Sequence, residues 1–299
     1  DRSSAASDVY KRQLMYHYAL SLSYQYFQDP IFIQRAKSFK IHAFEVVAAE
    51  KMPIDNYRAA VAAFADGELT VQSIHIPFPD AWIPAHSENI DETIANFRAL
   101  MEAWAPAHPG RYTLHAGSDS DKNADRKENI RKTRAFLEEL MPDLEKYNTS
   151  INIEYLPRTC LGNTPEELEE IIAGFPTNRV GICFDVNHAS PRTDQVPQLI
   201  ARLAPYINSF HLSDTDGIDE CHWHPGQGII DWASCMKEIK AIERDVLLIL
   251  EVQHINFPGW QSSYHHNDRF ADLAAMEMNV LFLENAEEMT RRRAELIIP

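Results

Sequence analysis

Residues 150–185 read SINIEYLPRTCLGNTPEELEEIIAGFPTNRVGICFD, and this pattern predicts a strand, a helix and a second strand. The two apolar runs, Ser150–Glu154 and Val180–Asp185, have the length of buried strands. Between them Thr164 is followed by proline and, three residues on, by Glu167, which predicts a capped helix start. A helix that joins two buried strands predicts a βαβ unit, whose strands are parallel.

The same alternation of apolar runs and helical patterns extends along the rest of the chain. The other candidate strands are Tyr16–Tyr24, Ala43–Ala48, Val71–Ile76, Arg111–His115, Ile207–Leu212 and Val246–Val252. The second of these could instead begin as a helix. Among the intervening segments, Ile90, Ile94, Phe97 and Met101 recur with helical spacing. Eight such units close most naturally into a single (β/α)8 TIM barrel, which we expect to span residues 14–299.

An open doubly wound α/β sheet is the alternative fold. Such a sheet would usually show a glycine-rich phosphate loop after an early strand. The chain has only ten glycines, and neither a G-x-G-x-x-G nor a Walker motif occurs. Residues 1–13 are polar, small and without periodicity, so we expect a disordered or non-native tail there.

Composition and charge exclude several classes of protein. The chain has 299 residues and a formal net charge of −16, which repels polyanions, and its longest basic cluster is Arg291–Arg293. The four cysteines form no C-x-x-C pair, which favours a reducing compartment and predicts a cytoplasmic protein. Without a long apolar run or a signal peptide, we expect neither nucleic acid nor membrane as a partner.

Most of the predicted strands end in a histidine or an acidic residue. These residues are His75, His115, Glu154, Asp185, His188, His211 and Glu251. In a TIM barrel the carboxyl ends of the strands converge on one face, where the active site lies. Carboxylates brought together there would repel one another, and a divalent cation would remove that repulsion. A site made of the three carboxylates and one of these imidazoles would offer mostly oxygen ligands. Such a site suits Mn²⁺, with Mg²⁺, Co²⁺ and Zn²⁺ as alternatives.

Three segments carry a resemblance to a known family: FDVNH, FHLSD followed by HWHPGQGIIDW, and LEVQ. They resemble the xylose-isomerase-like TIM-barrel superfamily, which includes sugar isomerases and epimerases, inosose dehydratases and apurinic/apyrimidinic endonucleases. The resemblance covers residues 14–290. It implies that one divalent metal ion is held by Glu154, Asp185, His211 and Glu251. It also implies a dimer or a tetramer.

The resemblance implies a sugar isomerase or epimerase that removes a proton next to a carbonyl through a metal-bound enediolate. Glu154 and Glu251 are the candidate catalytic bases, one removing the proton and the other returning it. The candidate substrate-binding residues are His188, His75, His115, His222, His224, Arg158 and Trp82. Less specific roles stay open for several of them: a solvated loop for His222 and His224, a rim salt bridge for Arg158, and core packing for Trp82.

The chain departs from the ketose 3-epimerase pattern at two positions. Where those enzymes have a second glutamate and an arginine, this sequence has Cys160 and Gly217. A lyase or dehydratase that acts on an inosose or a 3-keto-glycoside would use the same metal and bases, and it remains an alternative. A barrel that has lost catalysis and serves as a binding subunit is a third class, against which the retained ligands argue.

An abasic-site endonuclease is a further alternative. His75, His115, His188, His211 and His224 have counterparts in that enzyme's metal set. An expected aspartate is His222 in this chain. The net charge of −16 argues against this function, because DNA binding draws much of its affinity from lysine and arginine contacts to phosphates.

Overall fold

Eight parallel strands form a closed barrel in chain order in the computed structural model. The structure describes residues 16–49, 54–190, 192–252 and 268–296. The strands are β1 (Tyr16–Ser23), β2 (Ala43–Val47), β3 (Thr70–His75), β4 (Arg111–Leu114), β5 (Ser150–Glu154), β6 (Val180–Asp185), β7 (Ile207–Leu212) and β8 (Val246–Leu250). The predicted (β/α)8 fold is confirmed, and the alternative of an open doubly wound sheet is excluded because β1 also pairs with β8.

Helices connect the strands and cover the outside of the barrel. The described helices are α1 (Pro30–Ala36), α2 (Ile54–Ala62), α3 (Ile90–Trp104), α4 (Arg126–Lys146), α5 (Pro165–Ile172), α6 (Val196–Leu203), α7 (Trp232–Lys240), α8 (Asp268–Glu284) and α9 (Ala286–Leu296). In α3, Ile94, Phe97 and Met101 are buried, as their spacing predicts. The hydroxyl of Thr164 accepts from the backbone N–H of Glu167 at the start of α5, so the predicted cap is also confirmed.

The second strand, whose sequence left a helix open, lies between two neighbours in the sheet. Ala43 aligns with Ala19 of β1, and Val47 aligns with His75 of β3. Hydrogen bonding on both sides and the β-branched side chains at its end favour the extended conformation over a helix.

The interior of the barrel changes from apolar to polar along its axis. Ala19, Leu247 and Ile249 form a small apolar cluster, against which Ala43 packs. Beyond it, toward the carboxyl ends of the strands, lies a layer of fully buried polar side chains. They are Glu45, Ser73, Thr113, Asn152 and Ser209. A polar layer inside a barrel needs internal hydrogen bonds, because water does not reach it.

On β3, β5 and β7 the next inward position carries a candidate functional residue. Side chains two residues apart on a strand point to the same face. Asn152 is therefore followed by Glu154 on β5, and Ser209 by His211 on β7. The two-residue alternation of side chains along each strand thus places the polar strand ends at one mouth of the barrel.

Within the described ranges, no helix is both long and apolar enough to cross a membrane. The predicted tail at residues 1–13 lies outside the described residues, and the prediction about it stays a prediction.

Candidate active site

Four side chains from neighbouring strands meet at the carboxyl face of the barrel. Glu154 and Asp185 end β5 and β6, His211 lies near the end of β7, and Glu251 directly follows β8. One ligand atom from each of these four residues lies within 4.8 Å of the others. Glu154, Asp185 and His211 are buried, whereas the Glu251 side chain is 23% exposed. The predicted ligand set therefore forms one cluster at the bottom of the mouth.

His211 lies at the centre of this cluster. Its Nδ1 atom is 3.2 Å from Oε1 of Glu154 and 3.0 Å from Oε2 of Glu251. The same nitrogen is 3.7 Å from Oδ2 of Asp185. One nitrogen thus faces three carboxylates, which is a suitable arrangement for a cation bound among them.

The buried oxygens of the cluster provide a test of whether a cation fits. Oε2 of Glu154, Oδ2 of Asp185 and Oε2 of Glu251 have no aligned hydrogen-bond donor in the described part of the chain. Buried carboxylate oxygens without donors are costly, and a divalent cation would compensate them. The residues present therefore fit a divalent cation.

The charges of the cluster depend on its histidines. Burial opposes ionisation of Glu154, but His115 and His211 hold the pKa of this carboxyl well below its usual range. Burial likewise opposes ionisation of Asp185, and the nearby His188 lowers its pKa to about 2. Both carboxylates are therefore ionised at neutral pH, as cation binding requires.

Two further histidines contact Glu154 from the other side. Nε2 of His115 lies 2.9 Å from Oε2 of Glu154, and Nε2 of His75 lies 3.2 Å from the same oxygen. Burial disfavours the charged form of His75, but its contacts with Glu154 raise its pKa to about 9. These three side chains form a second group with metal-ligand spacing, and it shares Glu154 with the first.

His188 links the buried cluster to the wall of the mouth. Its Nδ1 atom lies 3.3 Å from Glu154 Oε1 and 3.4 Å from Asp185 Oδ2. Its Nε2 atom lies 3.0 Å from Oε2 of Glu220, a residue of the loop after β7. His222, from the same loop, places Nδ1 3.7 Å from Oε2 of Glu251.

A cavity of about 440 Å³ opens above the cluster. Its lining includes Glu154 and Glu251 on the floor and Arg158, His188 and Glu220 on one side. A cavity of this size suits a small molecule. The two candidate bases thus face the same space.

The guanidinium of Arg158 is surrounded by carboxylates. It donates to Asp119 through Nε and Nη2, and its Nη1 atom bonds to Asp219 at 3.0 Å and to Glu220 at 2.7 Å. The sequence left two roles open for Arg158, substrate binding and a salt bridge at the barrel rim. The salt bridge is present, and Arg158 also lines the cavity.

Two of the predicted substrate-binding residues do not line this cavity. Trp82 is half-buried and packs against the hydrophobic core, which is the alternative role that the sequence left open for it. Nδ1 of His224 lies 2.7 Å from Nδ2 of Asn279 on α8, away from the metal-ligand cluster. Among the described residues that line the cavity is one phenylalanine, Phe78, which is 56% exposed and stacks on His115 with ring centroids 5.3 Å apart.

Sequence reasoning missed Glu45, Glu220 and Phe78. Glu45 had a signal, because an acidic residue inside the apolar run AFEVV must find a buried partner. The sequence contained no such signal for Glu220, because its approach to His188 depends on the path of a loop. Cys160 also lines the cavity.

Comparisons with known proteins agree with the fold. The family model described as xylose isomerase-like TIM barrel matches residues 33–276. A curated relative, the uncharacterized protein MJ1311 of Methanocaldococcus jannaschii, is 29% identical over 123 residues, which are 40% of this chain and 42% of the relative. The matched part thus spans about two fifths of the relative's length.

Two solved structures share the architecture over nearly the whole chain. A D-tagatose 3-epimerase-like protein is 21% identical with a TM-score of 0.69, covering 90% of this chain and 99% of that one. The IOLI protein with a binding zinc atom is 14% identical with a TM-score of 0.67, covering 90% of this chain and 98% of that one. At these identities the likeness shows the fold. With a family match that spans most of its length, the chain belongs to the xylose isomerase-like TIM-barrel family.

Proposed function

We propose that the protein is a divalent-metal-dependent sugar isomerase or epimerase. The observation that carries the proposal is the convergence of Glu154, Asp185, His211 and Glu251, whose ligand atoms lie within 4.8 Å of one another at the base of a cavity. A bound divalent cation supplies the positive charge that polarises a carbonyl and stabilises the negative charge of an enediolate. The binding zinc atom of the IOLI protein supports the choice of a divalent cation.

Glu154 and Glu251 are the proposed proton carriers. Both line the cavity, and they approach its floor from β5 and from the end of β8. In the proposed reaction one carboxylate removes the proton next to the carbonyl, and the other returns a proton to the neighbouring carbon or to the other face. Glu251 is the more exposed of the two side chains, at 23% against 1%. Of the two proposed bases, Glu251 is therefore the more open to a substrate that enters the cavity.

The other residues of the wall position the substrate. His188 and His222 line the cavity, where their rings contact the sugar in the proposed complex. Phe78 offers an exposed ring face for the apolar face of a sugar. We propose an uncharged sugar, because the guanidinium of Arg158 is already paired with Asp119, Asp219 and Glu220. The D-tagatose 3-epimerase-like neighbour supports this substrate class.

The test is incorporation of deuterium from solvent. The protein, supplied with Mn²⁺, is incubated in D₂O with ketoses, inososes and keto-glycosides, and label at a carbon next to a carbonyl is measured by NMR. We expect label in at least one ketose. Glu154→Gln and Glu251→Gln should each reduce the exchange rate by at least about a hundredfold, since each removes a proposed base.

Glu128→Gln is the matched control, because Glu128 pairs with Arg131 on the exposed surface of α4. It should exchange at the rate of the unmodified protein. Exchange that is accompanied by loss of water from an inosose, or by loss of the aglycone from a keto-glycoside, would assign a lyase in place of an isomerase. Cleavage of an abasic DNA duplex, with no exchange in any sugar, would overturn the proposal.

A further inference from the structure

Glu45 is a fully buried acidic residue in the middle of β2, below the metal-ligand cluster. It is not among the four candidate ligands, and it does not line the cavity. An ionised carboxylate so deep in a barrel is costly unless its oxygens are matched by donors. The side chains that contact Glu45 should therefore explain why this position is acidic.

Three hydroxyl groups from three strands hold the Glu45 carboxylate in place. Ser21 of β1 donates to Oε1 at 2.9 Å. Ser73 of β3 and Thr113 of β4 donate to Oε2 at 2.6 Å and 2.9 Å. The carboxylate therefore has one orientation, fixed from both sides of β2.

The remaining contact of Glu45 is with His211. Oε1 of Glu45 lies 3.1 Å from Nε2 of His211, within ion-pair distance but outside hydrogen-bond alignment. The other ring nitrogen of His211, Nδ1, faces Glu154 and Glu251. The two ring nitrogens of His211 thus face carboxylates on opposite sides, Glu45 below the site and Glu154 and Glu251 within it.

A histidine can bind a metal ion only through a nitrogen that carries a lone pair. In a neutral imidazole one nitrogen carries the proton and the other is free. A proton on Nδ1 would turn the lone pair of Nε2 toward the Glu45 oxygen, where two electron-rich atoms repel each other. A proton on Nε2 removes this repulsion and leaves Nδ1 free to bind a cation among the carboxylates of the site.

We propose that Glu45 is a positioning residue that keeps the proton of His211 on Nε2 and so presents Nδ1 to the divalent cation. Histidine ligands generally donate their second N–H to a carboxylate or a carbonyl group, and that partner orients the ring. The proposal rests on the metal site of the proposed function, but it does not depend on which sugar is turned over. It also explains why three strands contribute hydroxyl groups to one buried position.

The experiment compares Zn²⁺ affinity and histidine tautomer in Glu45→Gln, Glu45→Met and the unmodified protein. Affinity is measured by competition with a chromogenic chelator. Removing a partner of this kind typically costs about 10- to 100-fold in metal affinity. We expect a loss in that range for Glu45→Met, which removes the acceptor, and a smaller one of about tenfold for Glu45→Gln, which removes only the charge. Glu45→Gln keeps the shape of the side chain and provides the test if Glu45→Met does not fold.

The tautomer is observed by long-range ¹H–¹⁵N NMR of zinc-loaded, ¹⁵N-histidine-labelled protein, in which His211 is assigned from the spectrum of His211→Asn. We expect a proton on Nε2 in the unmodified protein, and a shifted or missing Nε2–H signal in Glu45→Met. A purely structural role would lower stability without moving this signal. Asp121→Asn is the matched control, because Asp121 is also a buried carboxylate bonded to a histidine, His86, but belongs to another cluster. Its zinc affinity should stay within about twofold of the unmodified protein.

Three results decide the matter. Unchanged affinity and an unchanged tautomer in both Glu45 variants would overturn the role of Glu45 while leaving the metal site intact. Failure of the unmodified protein to bind any Zn²⁺ would overturn the metal site and the role of Glu45 together. If zinc binds and depends on Glu45 but no sugar undergoes exchange, the role of Glu45 holds and only the proposed reaction fails.

Discussion

Nε2 of His188 lies 3.0 Å from Oε2 of Glu220, although the two residues belong to different loops. Burial disfavours the charged form of His188, but the surrounding carboxylates of Asp185, Glu154 and Glu220 raise its pKa well above the usual value. The opposite nitrogen of His188 contacts Glu154 at 3.3 Å. Glu220 therefore orients a ring that reaches from the cavity wall to a proposed base.

We expect Glu220→Gln to slow deuterium exchange by about 10- to 100-fold, because a catalytic group displaced by about 1 Å loses a comparable factor. Initial rates in D₂O at saturating sugar measure the effect. Glu169→Gln is the matched control, since it removes another partly exposed carboxylate that pairs with an arginine, Arg202. An equal rate in Glu220→Gln and Glu169→Gln would exclude a role for Glu220 in the site.

Neutralising Asp119 should change which ligands the cavity accepts. Asp119 is bonded to Arg158 through both Nε and Nη2. In Asp119→Asn, Nε and Nη2 of Arg158 lose their charged partner and become available to an anion, while Nη1 keeps Asp219 and Glu220. We expect ketose phosphates to inhibit Asp119→Asn about two- to fivefold more strongly than the unmodified protein, because exposed ion pairs are worth up to about 1 kcal/mol.

Inhibition constants for one ketose and its phosphate, measured side by side, test this prediction. The control is Asp216→Asn, in the loop after β7, because Asp216 bonds to the backbone of its own loop. Strong binding of sugar phosphates by the unmodified protein would contradict the proposal of an uncharged substrate.

A second histidine bridge links the loops that follow β3 and β4. Nδ1 of His86 lies 2.7 Å from Asp80, and its Nε2 atom lies 2.7 Å from the buried Asp121. The hydrogen bond with Asp121 raises the pKa of His86, against the opposing effect of burial. For Asp121, burial acts to raise the pKa, but the hydrogen bond with His86 and backbone N–H donors lower it overall.

The directions of these shifts set the pH dependence of stability. A raised histidine pKa stabilises the fold below about pH 6.5, and this contribution is lost as the pH rises through the folded pKa. A lowered aspartate pKa stabilises the fold above about pH 4, and this contribution is lost as the pH falls further. The bridge should therefore contribute most between about pH 4 and pH 6.5.

We expect His86→Gln to lower the free energy of unfolding more at about pH 5.5 than at about pH 9, as measured by urea denaturation at both values. His42→Gln, at an exposed position, is the control. Its free energy of unfolding should stay close to that of the unmodified protein at both pH values. A loss of stability in His86→Gln that is the same at both pH values would show that the bridge is not charged.

Metal removal should affect stability as well as activity. A cation that binds only the folded protein stabilises it by about 2.7 kcal/mol at a hundredfold excess over its Kd. We expect a chelator to abolish exchange and to lower the Tm, and added Mn²⁺ to restore both. Asp185→Asn removes one proposed ligand, so its Tm should respond less to Mn²⁺. A Tm that is insensitive to the chelator, with full exchange activity, would contradict metal dependence.

The parts of the site that the sequence predicts are those that the strands determine. Glu154, Asp185 and His211 lie at strand ends, and a closed parallel barrel brings all such ends to one face. Their convergence therefore follows from the fold alone. For the same reason His75 and His115, at the ends of β3 and β4, meet Glu154.

The parts that the sequence could not predict depend on loops or on the middle of a strand. His224 lies in a loop, and its contact with Asn279 could not be read from the chain. Trp82 lies in a short turn whose direction is set by packing against the core. Glu45 needed the register between β2 and its neighbours, which places three hydroxyl groups around it. Homo-oligomerisation, the absence of a nucleic-acid partner and cytoplasmic location stay predictions.

The most direct test of the central claim is an anomalous difference map from crystals grown with Mn²⁺. We predict a peak within about 2–2.5 Å of ligand atoms from Glu154, Asp185, His211 and Glu251, with Nδ1 as the coordinating atom of His211. A map without a peak at this position, or with manganese held by other residues while these four side chains turn away from one another, would contradict it.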